Sequence, residues 1–167
     1  MAAQRFGQAG YLWATTFFNS PAGQQTMQAA TDLATGTVMP GSPVAGVNAQ
    51  TGARIMSALG SSDGAKQMEA KVAQSLANGG LLKGFDVTIA GRQVDAVAGK
   101  AGQFIVEVTT GGGRGKIGQA LAQMKDTGKQ VVIYGEGLSK GFVREAQKQG
   151  IGVAQNLEEL KRLVGGE

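Results

Sequence analysis

Two carboxylates interrupt apolar runs in this chain: Asp95 in RQVDAVAG, between Val94 and Ala96, and Glu107 in QFIVEVTTG, between Val106 and Val108. Side chains alternate across a strand. Asp95 is therefore expected to share a face with Gln93 and Val97, with Val94 and Ala96 on the other, and Glu107 to share one with Ile105 and Thr109. A hairpin through Gly99–Gly102 would bring the two carboxylates side by side. Neighbouring carboxylates repel, and the arrangement is costly unless a cation neutralises them. A divalent metal does this, and it also polarises a phosphodiester and lowers the pKa of a bound water. The plain alternative is two charges on a solvated strand face, paired with Arg92 or Lys100.

Downstream of Glu107 come Thr109, a glycine-rich turn, and then Arg114, Lys116 and Gln119. Lys116 and Gln119 are three apart, which puts them on one face at the start of a helix. A lysine there can orient an attacking water or stabilise charge developing at phosphorus. The helix N-terminus adds positive potential for a phosphate. A solvated helix lysine is the plain reading of Lys116. The segment Gly113-Arg-Gly115-Lys-Ile-Gly118 formally matches G-x-G-x-x-G, with Glu136 at the end of the next strand. It is set aside as a dinucleotide site: TTGG separates it from the strand, Glu107 lies inside that strand, and too little chain follows for a second mononucleotide half.

Composition narrows the chemistry further. The 167 residues contain no cysteine and no histidine. Disulfides, thiolate zinc sites, cysteine nucleophiles, Ser-His-Asp triads and HExxH metal sites are thereby excluded. Carboxylate, lysine, hydroxyl and backbone remain, a set that suits a hard cation such as Mg²⁺. The net charge of +4 is compatible with a polyanionic partner. MAAQRFGQAG lacks the pattern of a secretory signal, and no run is long or apolar enough to span a bilayer.

Composition changes near residue 60. Before it, Arg5, Asp32 and Arg54 are the only charges, and Pro21, Pro40 and Pro43 all lie there. Residues 11–18 are apolar and aromatic, residues 22–35 have helical spacing, TGTVMPGSPVAGVNAQTG reads as a loop, and a short helix is expected around Ala53–Leu59. Then the pattern becomes regular. Residues 65–78 form a helix that Ser61, Ser62 or Asp63 can cap and Gly79-Gly80 ends. Three strands follow, FDVTIAG, RQVDAVAG and QFIVEVTTG, with glycine-containing turns. Next come a helix over about Gly115–Lys125, the apolar strand KQVVIYG, a helix over Lys140–Gln149, the strand IGVAQ and a helix from Leu157 to Val164. The order αβββαβαβα implies an α/β fold, a mixed sheet flanked by helices on both faces with VVIYG central.

Asp95, then Glu107-Val-Thr109, then a basic helix with Lys116 and Gln119, resembles the PD-(D/E)XK phosphodiesterase superfamily. The element order over roughly residues 63–156 is similar to its αβββαβ core. The resemblance implies a restriction-endonuclease-like fold, with Asp95 and Glu107 holding Mg²⁺ or Mn²⁺ and Glu69 as the acid of the first helix. Two positions depart from the family pattern: Val94 stands where proline is common, and Thr109 where the lysine is usual. Lys116 would serve as a lysine moved to the following helix. A small domain over 63–167, after a low-charge pre-toxin or linker segment over 1–62, resembles the tip of bacterial polymorphic and contact-dependent inhibition toxins. That likeness implies a metal-dependent endonuclease with a cognate immunity protein, delivered from a producing bacterium into the cytoplasm of a target cell. The substrate would be tRNA or DNA, with tRNA slightly favoured because structured RNA is recognised by shape and phosphates. Lys83, Arg92, Lys100, Arg114, Lys116, Lys125 and Lys129 are the candidate phosphate contacts. A non-catalytic nucleic-acid or nucleotide-binding module of the same fold, and a structural domain of a larger secreted or phage-encoded protein, are the other readings.

Overall fold

A computed structural model describes residues 46–166 of the chain. The expectations for residues 11–18 and 22–35 lie outside the described residues. The elements are α1 (Ala49–Leu59), α2 (Gly64–Asn78), β1 (Leu82–Ile89), β2 (Arg92–Ala98), β3 (Phe104–Val108), α3 (Arg114–Thr127), β4 (Gln130–Tyr134), α4 (Lys140–Lys148), β5 (Gly152–Ala154) and α5 (Leu157–Gly165). From α2 onward this is the αβββαβαβα order read from the sequence. The five strands form one sheet in the order β1-β2-β3-β4-β5. The first three are antiparallel and the last two continue parallel to β3.

Local chemistry explains the boundaries. Asp63 caps α2 by accepting from the Ala65 N–H at 2.9 Å, which satisfies one of the unpaired amides of the first turn. β1 and β2 are joined through Ala90-Gly91, both at positive φ, the backbone of a two-residue hairpin turn whose twist matches the strands. Parallel strands need long crossovers, and α3 and α4 supply them.

Two apolar layers hold the sheet. On one face α1, α2 and α5 bury Ile55, Leu76 and Leu160 against Ala96, Val106, Val108 and Val132. On the other, α3 and α4 bury Ile117, Ala120 and Phe142 against Val97, Ile105, Val131 and Ile133. Consecutive residues of β4 alternate between the layers, so this strand is apolar on both sides, as its sequence requires. No helix among the described residues is long and apolar enough to cross a membrane.

Two sequence expectations are corrected. The first helix starts at Ala49 rather than near Ala53, with Asn48 accepting from the Thr51 N–H. Ile55 is fully buried in the core around α2, so this helix packs against the elements that follow it. Helical packing overrides the loop-like composition of Thr51-Gly52, both of which are buried. The second correction concerns faces. Val94 and Ala96 were expected together, but Val94 packs in the α3/α4 layer and Ala96 in the α2 layer. Phe85 and Val87, their partners on β1, divide the same way. Between them Asp86 sits at φ 49°. A left-handed residue turns the strand over, and Asp95, the residue across from it, falls out of the ladder with it.

Candidate carboxylate site at the fork of the sheet

The sheet forks where the two carboxylates stand. β2 pairs with β3 only over Ala96–Ala98 and Phe104–Val106. Upstream of Ala96, β2 keeps only β1 as its partner, and beyond Val106, β3 keeps only β4. The separation frees the Val108 N–H on the β2 side. Asp95 Oδ2 accepts it at 2.8 Å, so the carboxylate bridges the mouth of the fork. The site thus lies at the carboxyl end of β3, where the sheet changes from antiparallel to parallel.

Glu107 is buried, with 2 % of its surface exposed. A carboxylate that deep requires donors, and α3 supplies three. Lys116 Nζ lies 3.4 Å from Oε2, Gln119 Nε2 donates to Oε2 at 2.9 Å, and Gln123 Nε2 donates to Oε1 at 2.6 Å. These residues follow i, i+3, i+7 spacing and form one stripe of the helix. The structure thus brings together Asp95, Glu107, Lys116 and Gln119.

The Asp95 carboxyl is pushed up to about 7, first by burial and next by Glu107; the bond from Val108 and the Lys116 ammonium pull it down. Glu69, half-buried on α2, is also raised, by burial first and then by Asp86. Asp95 and Glu69 line one open cleft of about 850 Å³ together with Asp63, Asp86, Phe85 and residues of α1. No set of three carboxylates converges on one point among the described residues. The donors that a cation would meet are the second oxygen of Asp95, which accepts no bond among the described residues, and Glu107, already shared among three donors. An all-oxygen set of this kind fits a hard divalent ion such as Mg²⁺ or Mn²⁺. Such an ion would also relieve the repulsion that raises Asp95.

The other expected residues separate. Thr109 is buried and tied into the turn after β3: its hydroxyl donates to the Gly111 carbonyl and accepts the Gly111 N–H. It contributes no cation where the superfamily pattern has lysine. Arg92 is paired with Asp126 of α3, which removes it from a free phosphate-binding surface. Lys129 donates to the Gly102 carbonyl at 2.6 Å. Lys100 lines a different cleft, beside α5. Lys125 is exposed in the last turn of α3. Arg114 opens α3, and its side chain lies outside the described part of the structure.

Three residues were missed in the sequence. Gln123 is 1 % exposed and holds Glu107; its spacing from Lys116 and Gln119 was the available signal. Asp86 flanks Asp95 across the strand pair, and Arg54 reaches the Asp86 carbonyl at 2.8 Å. No periodicity announces either. No protein-family model matches the chain, and neither a characterised protein nor a solved structure is significantly similar to it.

Proposed function

We propose that residues 63–167 form a metal-dependent endonuclease domain with a restriction-endonuclease-like core, hydrolysing phosphodiester bonds in tRNA or DNA. The observation that carries this reading is the convergence of Asp95 and Glu107 at the fork, with Lys116 and Gln119 reaching the same carboxylate from α3. Asp95 and Glu107 would hold the cation. A bound Mg²⁺ or Mn²⁺ would polarise the phosphodiester and lower the pKa of an attacking water. Gln119 and Gln123 fix the rotamer of Glu107. Lys116, partly exposed beside it, places a positive charge where negative charge develops at phosphorus. Glu69 lines the cleft that Asp95 opens into and raises the pKa of Asp95.

The same reading takes the domain as the toxic end of a bacterial competition protein, acting in the cytoplasm of a target cell and neutralised by a cognate immunity protein. A small domain with no evident base-reading element fits tRNA slightly better than DNA, because structured RNA is recognised by shape and phosphates. Two observations favour a second reading, a non-catalytic nucleic-acid-binding module. Thr109 is locked into its turn where a lysine is usual, and Glu107 already has donors on both oxygens.

Cleavage of total tRNA and plasmid DNA, with Mg²⁺ or with EDTA, tests the two. Cutting that needs metal, and that Asp95→Ala and Glu107→Ala both lose, supports the endonuclease. Salt-sensitive binding without cutting supports the module.

A further inference from the structure

The cleft that begins at Asp95 does not end with the carboxylates. It is also lined by Asp86 and Gln93, by Gln50, Arg54 and Ser57 of α1 and by Lys66 of α2. Arg54 and Lys66 are the cations of that cleft. Neither is in an ion pair among the described residues, although Asp63, Glu69 and Asp86 line the same space.

The position of Arg54 has a specific cause. At φ 49° Asp86 leaves the β ladder, and its carbonyl accepts from Arg54 Nη1 at 2.8 Å. The Asp86 carboxylate is meanwhile held by Gln93 Nε2 at 2.6 Å, so it does not consume the guanidinium. One N–H of Arg54 is spent on the backbone. The rest of the guanidinium fork, the geometry that matches a phosphate, is exposed. The irregularity that takes Asp95 out of the strand ladder therefore also fastens α1 beside it.

We propose that Arg54 and Lys66 form a phosphate-holding wall for a nucleic-acid strand, gripping a phosphodiester next to the one that reaches Asp95, the acid of the carboxylate pair that lines this cleft. This rests on the nuclease reading for its substrate class, and it makes α1 part of the substrate site rather than of a linker. The two cations line one cleft with Asp63, Glu69, Asp86 and Asp95. A strand lying in it would have its backbone neutralised by Arg54 and Lys66 beside the bond that reaches Asp95.

The test is binding of fluorescein-labelled tRNA and of a labelled single-stranded DNA oligonucleotide, followed by anisotropy over a range of salt. It is run in EDTA and again in Ca²⁺. The Arg54→Ala/Lys66→Ala variant should bind roughly 10- to 100-fold more weakly, with the slope of log affinity against log salt reduced by about two. Arg54→Lys should fall between it and the wild type, because a lysine cannot make the two-pronged contact. Lys140→Ala/Lys148→Ala removes the same charge from exposed positions on α4 and should leave affinity unchanged. Equal binding by the cleft variant and the wild type would overturn the proposal. So would equal weakening by both double variants, which would mark diffuse attraction. A wild type that binds neither probe in either condition would overturn it together with the nuclease reading. If the wild type binds through Arg54 and Lys66 but never cuts in Mg²⁺, the catalytic reading falls and the wall stands.

Discussion

Asp95 is the residue on which stability and chemistry pull against each other. Its folded pKa is raised to about 7 from an ordinary 3.8. A group raised in this way favours the folded chain fully below its unfolded value, and the contribution is lost as pH rises through the folded one. The metal-free protein should therefore lose stability between about pH 4 and 7, at up to about 1.4 kcal/mol per pH unit. Asp95→Asn keeps an oxygen for the Val108 N–H and removes the charge. It should melt higher than wild type at pH 8 and show a flatter pH dependence in thermal denaturation, while losing any metal-dependent activity. A lower melting temperature at pH 8 would mean that the charge is already compensated. Gln123 is the complementary case. Gln123→Met fills the same space but leaves Glu107 without its donor to Oε1, at a cost of about 1–3 kcal/mol. Urea denaturation reads this, and an unchanged midpoint would show that Glu107 finds another donor. The two acids and the Lys116–Gln119 pair were legible because charge inside apolar runs and three-residue helical spacing are sequence signals. Gln123 was not singled out: its spacing puts it on the stripe of Lys116 and Gln119, but that this stripe faces inward follows only once the strand beneath it is known to carry a buried acid.

At the scale of the elements, the important irregularity is the pair Asp86 and Asp95. Periodicity treats β1 and β2 as regular, and so it put Val94 and Ala96 on one face. A single left-handed aspartate reverses that, and aspartate tolerates the conformation better than most residues. Asp86→Gly should accordingly be neutral or stabilising by up to about 1 kcal/mol, since glycine adopts positive φ without strain. Asp86→Val should cost about 1–3 kcal/mol, because a β-branched side chain is poorly accommodated there. Chemical denaturation of the two variants checks the sign of each. If valine were tolerated as well as glycine, the strand would be regular in solution and the fork would lose its cause. The remaining elements were legible through ordinary signals: the Asp63 cap and Gly79-Gly80 stop of α2, and the doubly apolar β4. The start of α1 was not, because Thr51 and Gly52 are poor helix formers whose burial against the core decides the matter.

For the molecule as a whole, the mixed sheet joins an antiparallel meander that carries Asp95 to a parallel half whose crossover helix carries Lys116, Gln119 and Gln123. That architecture was readable from the order of the elements. The sequence did not show that the sheet would fork at the carboxylates, since strand separation depends on long-range pairing and not on local pattern. The net charge of the chain is +4, while four acids, Asp63, Glu69, Asp86 and Asp95, gather in one cleft with Arg54 and Lys66. The most direct test is cleavage of total tRNA and plasmid DNA by the wild type, Asp95→Ala and Glu107→Ala, each with Mg²⁺, Mn²⁺ or EDTA. Cutting by the wild type that EDTA abolishes, and a loss of at least about 100-fold in both variants, is the predicted result. A folded wild type that cuts neither substrate with either metal, or variants that cut as well as it does, would contradict the endonuclease account.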